Sequence, residues 1–181
     1  MPKLLEQLGF GSNWVPTVML IGQASEFPAL LLLPWLLKRV GLKMTFAAGM
    51  GAWFIRYVFF ALEGPRWLIL TGLALHGVCH VFLIIAIQLY VDSRCPRDLR
   101  ASAQNLFTVI TMGIGMPLGF LLGGKLGQLY YDKPLGRTDY GSLFSVSAAA
   151  ILVIMLVYCR WFRATTIAGT GRGEGDGTAG G

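Results

Sequence analysis

Charge is what this chain has least of. Only 13% of its 181 residues are Asp, Glu, Lys or Arg, while 55% are apolar and the mean hydropathy is +0.62. A soluble domain would expose such a balance as sticky surface, so the shortage excludes an ordinary water-soluble fold and makes lipid the solvent for most of the chain. Cysteine is also sparse. Cys79, Cys95 and Cys159 form no even-numbered disulfide framework, and free thiols are expected. No soluble catalytic motif or nucleophile–base pair stands out. Glycines are plentiful but lie in a membrane helix and a tail, without the strand-to-helix context of a phosphate cradle. The reading is therefore of a non-enzyme, with no cofactor and no metal. The net charge of +6 falls in short loops rather than on one patch, so no nucleic-acid partner is expected.

What the chain does have is long apolar runs. They cover about 14–37, 44–62, 67–90, 102–130 and 142–162. Each is long enough to cross a bilayer as a helix, and none shows the alternation of a barrel strand. An all-α integral membrane domain of five transmembrane helices over 14–163 follows. Residues 1–13 are a polar N-terminal segment, and the first run is too long for the core of a cleavable signal. Residues 164–181 are rich in glycine and read as a disordered tail.

Loop charges set the expected topology. Lys38, Arg39 and Lys43 follow span one, Arg94, Arg97 and Arg100 follow span three, and Arg160 and Arg163 follow span five. If the helices alternate, all three groups share a side, and the positive-inside rule makes that side cytoplasmic. The N-terminus is then outside and the tail cytoplasmic, in a multi-pass protein of the cell (inner) membrane. Lys3, the Glu63–Arg66 turn and the Tyr131–Tyr140 loop, with Lys133 and Arg137 offset by Asp132 and Asp139, fall outside. Trp14, Trp67, Tyr130, Tyr131 and Trp161 stand near span ends, as interfacial aromatics do.

Polar residues inside the spans are the candidate functional residues. Glu26 lies near the middle of span one, with Gln23 three residues earlier on the same helix face. A central carboxylate costs about 2.5–3.5 kcal/mol on insertion scales. Such a residue either satisfies its neighbours or handles a ligand or proton, and Gln23 can share that ligand. Arg56 in span two either snorkels outward or pairs with a membrane carboxylate such as Glu26. His76 and His80 are spaced i, i+4 in span three. They could contribute to a zinc site if further ligands converge, or line a polar cavity where an imidazole can relay protons. In span four Gly115, Gly119, Gly123 and Gly127 recur every four residues, leaving one face nearly bare for close helix packing. Pro117 should bend that helix, and the bend could serve a conformational cycle.

Several segments together carry a family resemblance. "GQASEFPALLLLPWLLKRVGL" from Gly22, "AWFIRYVFFALEGP", "LHGVC" and "YVDSRCPRDLRASAQNLF", followed by the glycine-rich helix, resemble in order the C-terminal half of nucleoside:proton symporters of the major facilitator superfamily. The resemblance runs from about residue 10 to 163 and leaves out the tail. It implies that the five spans correspond to helices eight through twelve of a twelve-helix transporter, an incomplete C-terminal bundle. It also implies that Gln23 and Glu26 belong to the central site, Gln23 hydrogen-bonding the solute and Glu26 binding solute hydroxyls or carrying the coupling proton. The family's segment after "HGxC" continues with an aromatic residue and an aspartate; here those positions hold His80 and Val81. His80 then lines the cavity in place of a stacking ring. The implied partners are the bilayer, a nucleoside or similar polar solute, a proton, and the missing N-terminal helices or a partner subunit. The expectation is a C-terminal fragment of a proton-coupled transporter; a non-transporting membrane subunit, a degenerate copy and an intramembrane metal-binding protein are the alternatives.

Overall fold

Pro28 and Gly41 stand at two of the helix breaks, while Pro34 lies inside an unbroken helix. In the computed structural model, which describes residues 2–7, 9–132 and 136–162, the first apolar run divides at Ser25 into α2 (Val15–Ala24) and α3 (Glu26–Arg39), after a short α1 (Pro2–Gln7). The expected tail, Lys133 and Arg163 lie outside the described residues. Pro28 has no N–H to offer the Ala24 carbonyl, and its ring crowds that carbonyl. The break follows from this, and the Ser25 hydroxyl folds back to donate to the Gly22 carbonyl at 2.6 Å.

Gly41, with φ at +78°, turns the chain into α4 (Gly41–Ala61). A turn through Glu63 and an extended Pro65 starts α5 (Arg66–His80), which continues through a π-helical turn at Val81–Ile85 into α6 (Ala86–Arg94). A 3-10 turn at Arg97–Leu99 leads into α7 (Arg100–Thr108), a π-helical stretch at Val109–Gly115 and α8 (Met116–Leu129). Pro117 withholds a donor from the Gly113 carbonyl, and the widened backbone lies just before it. The two-residue strands β1 (Tyr131–Asp132) and β2 (Arg137–Thr138) pair antiparallel before α9 (Tyr140–Trp161). Asp139 caps α9 by accepting from the Ser142 amide at 3.0 Å and its hydroxyl at 2.6 Å.

Among the described residues five helical segments are long and apolar enough to cross a membrane: Val15–Arg39, Gly41–Ala61, Arg66–Arg94, Arg97–Leu129 and Tyr140–Trp161. Within this bundle α4 is central, packing along both α5 and α9, while α2 lies against α5. Two apolar clusters form. One gathers Val15, Phe60, Ile69 and Leu73 with Leu4 and Leu5 of α1, both fully buried. A polar reading of residues 1–13 missed this apolar plug. The other cluster gathers Ala29, Leu33, Leu42, Val81, Phe82 and Ala86. Span four stands apart: among the described residues its close packing on a neighbouring span is that of α7 on α6, where the Gln104 side chain donates to the Gln88 carbonyl at 2.9 Å.

Candidate functional site

Between the two apolar clusters the first three spans each contribute polar residues at the same level: Gly22 to Glu26 from span one, Arg56 from α4, and His76 to His80 from α5. Close backbone approach brings them together. Gly77 lies so near the α2–α3 break that a Cβ there would overlap the backbone of Ser25 and Glu26. Its amide donates to the Ser25 hydroxyl at 3.0 Å. Gly22 meets the same helix, its side-chain direction facing the Leu73 carbonyl and His76. Two glycines and one serine thus seat the break against α5, and Glu26 begins α3 at that point.

From there the contacts run in a line. Glu26 Oε1 is 3.2 Å from His80 Nδ1, both side chains about one-third exposed. Nδ1 makes no directed hydrogen bond among the described residues, so the two atoms lie close without forming an aligned donor–acceptor pair. The His80 ring stacks on His76, with centroids 6.0 Å apart and planes 25° apart. His76 Nδ1 is in turn 2.9 Å from Arg56 Nη1. Arginine has no acceptor atom, so Nη1 donates and His76 Nδ1 accepts. His76 is therefore neutral, with its proton on Nε2. The Arg56 guanidinium also lies over the Phe60 ring, 5.2 Å from its centroid.

Beside this line lies a cavity of about 250 Å³ lined by Met19, Gly22, Gln23, Arg56, Leu73 and His76. Its size is near the lower end for small-molecule pockets, about 300 Å³. Gln23 reaches it and makes no side-chain hydrogen bond among the described residues, to Glu26 or to any other group. The structure thus brings Gln23, Arg56 and His76 to the cavity; Glu26 and His80, expected from the sequence to share it, are not among its lining residues. Arg56 corrects the sequence expectation: it pairs with no carboxylate among the described residues, because the two histidines stand in the line of contacts between it and Glu26. No group of three potential metal ligands occurs among the described residues. Sequence reasoning missed Ser25 and Gly77, whose one signal was a serine before a glutamate three residues ahead of a proline line-up, and a glycine beside two histidines.

The glycine face of span four takes a different place. Gly119, Gly123 and Gly127 have nothing within 4 Å of a built Cβ, and Gly115 meets only a carbonyl of its own helix. Gly123, Gly124 and Gly127 border instead a wide cleft of about 1030 Å³ that reaches Glu6 of α1 and Phe144 of α9.

Comparison with known proteins follows the same lines. A family model described as "Nucleoside H+ symporter" matches residues 3–166. YegT of Escherichia coli K12 is 32% identical over 154 residues, covering 80% of this chain and 36% of YegT. The nucleoside permease NupG of the same organism is 28% identical over 150 residues, covering 81% and 35%. The crystal structure of the nucleoside transporter NupG superposes with a TM-score of 0.75 at 25% identity, covering 91% of this chain and 42% of that one. The chain spans about a third of the length of these curated relatives.

Proposed function

Because the chain belongs to the nucleoside H+ symporter family, we propose that it forms part of a proton-coupled carrier for nucleosides or similar polar solutes. In this reading Gln23 hydrogen-bonds the solute, His80 lines its path, and Glu26 binds solute hydroxyls or holds the coupling proton. The observation that carries it is the Glu26–His80 contact of 3.2 Å at a broken membrane-length helix, with Gln23 of the same span lining a cavity. A proton on Glu26 removes the carboxylate charge that faces His80 and leaves both side chains free to rearrange. A solute hydroxyl can then take the place of the lost partner.

The carrier would be completed by further helices, in the same polypeptide or in a partner subunit, as the share of the relatives' length and the bare face of span four favour. We place the basic ends on the cytoplasmic side of the cell (inner) membrane, where Lys43 reaches the Cys159 carbonyl at 3.1 Å and Arg100 pairs with Asp92 at 3.5 Å. The expected result of Glu26→Gln is loss of proton-driven nucleoside accumulation with unchanged membrane insertion, read by radiolabelled uptake with and without a proton gradient. Undiminished accumulation in that variant removes Glu26 from the mechanism.

A further inference from the structure

The Arg56 guanidinium has more donors than the described residues give it acceptors. Of its five N–H groups, the one hydrogen bond formed is to the neutral Nδ1 of His76; Nε is buried without any hydrogen-bond partner, and no carboxylate among the described residues pairs with the side chain. Arginine stays charged in any protein environment, and a membrane-embedded charge with unused donors is costly. Arg56 nevertheless lines the cavity opposite Gln23, whose amide is also without a partner among the described residues. Glu26 does not offset it locally, since its carboxylate faces His80.

We propose that Arg56 is a specificity-determining residue that selects solutes presenting an anionic, acceptor-only edge, such as a nucleoside whose base carries a deprotonated lactam. This rests on the nucleoside reading above and names the solute class of the same site. A deprotonated lactam offers an oxygen and a neighbouring ring nitrogen, both acceptors, at the spacing of the planar guanidinium fork. A neutral lactam presents oxygen beside an N–H, which sets donor against donor on one tine of that fork. Gln23 carries both donor and acceptor and can meet the next group on the ring.

The test uses the full chain purified into lipid nanodiscs. Equilibrium binding at neutral pH is measured for xanthosine, whose ring is then largely anionic, for inosine, whose ring is neutral, and for urate, an anionic purine without sugar. Xanthosine should bind at least about tenfold more tightly than inosine, in keeping with charge-assisted bidentate pairing. Arg56→Gln should bring that ratio to about one, and Arg56→Lys, which keeps the charge but not the fork, should give an intermediate ratio. Equal affinities in the unaltered chain overturn the proposal and leave nucleoside binding standing. A ratio that survives in Arg56→Gln overturns the assignment to Arg56. If urate binds through Arg56 while neither nucleoside does, the nucleoside reading fails and the anion preference holds. Binding of none of the three overturns both.

Discussion

Gly77 shapes the site by having no side chain. Its backbone sits against Ser25 and Glu26 where span one breaks, and any Cβ would overlap that backbone rather than the movable end of a side chain. Gly77→Ala should therefore force α5 away from the break and lower stability by about 1–3 kcal/mol, the usual cost of overpacking. Solute binding should weaken with it, because the Glu26–His80 contact depends on the same approach. Thermal unfolding in detergent, read beside nucleoside binding, checks both effects; an unchanged melting temperature would show that the helices part freely here. Gln23 and Glu26 were legible in the sequence because polar groups inside an apolar run are rare and expensive. Gly77 was not, since a helical glycine looks the same whether it meets a neighbour's backbone or empty space. Arg56 was half legible: its need for a partner could be read, but its choice of His76 over a carboxylate depends on how α4 and α5 pack.

Helix boundaries answer to local chemistry, and α9 gives the clearest case. Asp139 accepts two hydrogen bonds from Ser142, and these hold its carboxyl below the ordinary carboxylate range. A carboxyl with a lowered folded value stabilises its helix fully above the unfolded value, and the contribution is lost as pH falls through the folded one. The start of α9 should thus fray only in acid below the usual range for aspartate. Asp139→Asn keeps an acceptor but cannot titrate. Amide hydrogen exchange at Ser142 and Leu143 should become faster in acid in the unaltered chain and show no such step in the variant, beyond the intrinsic pH dependence of exchange. The break at Ser25 and the widening before Pro117 are of the same local kind. A missing N–H four residues after a carbonyl is visible in the sequence, and Pro28 and Pro117 each produce one, while Pro34 does the same inside α3 without breaking it. The π-helical turn at Val81–Ile85 has no proline to announce it, and we have no physical account of its position.

Across the whole molecule the helices divide into a packed group and an outlier. Spans one, two, three and five pack on α4 or α5, while α8 runs beside no other helix closely among the described residues. The glycine stripe expected to bring a helix close thus finds no helix against it among the described residues. Gly119→Leu should accordingly leave the melting temperature of the purified chain unchanged within about 0.5 kcal/mol, as for a surface substitution away from packing. A clear destabilisation would mean that the face is covered in solution, by another copy or by rearrangement of span four.

Composition and run length by themselves determined that the chain is a bundle of membrane-length helices, because a backbone in lipid has few ways to satisfy its polar groups and helices are the one these runs allow. The same local rules placed the irregularity at Pro117 and marked Gln23 and Glu26 as candidate functional residues. Only the tertiary structure decided what those residues face. The pairing of Glu26 with His80, the turning of His76 toward Arg56, and the emptiness beside the span-four glycines depend on which helix faces meet, at what depth and how closely. Those are relations between segments distant in the chain, set by the fit of whole helix surfaces, and no single run of residues contains them.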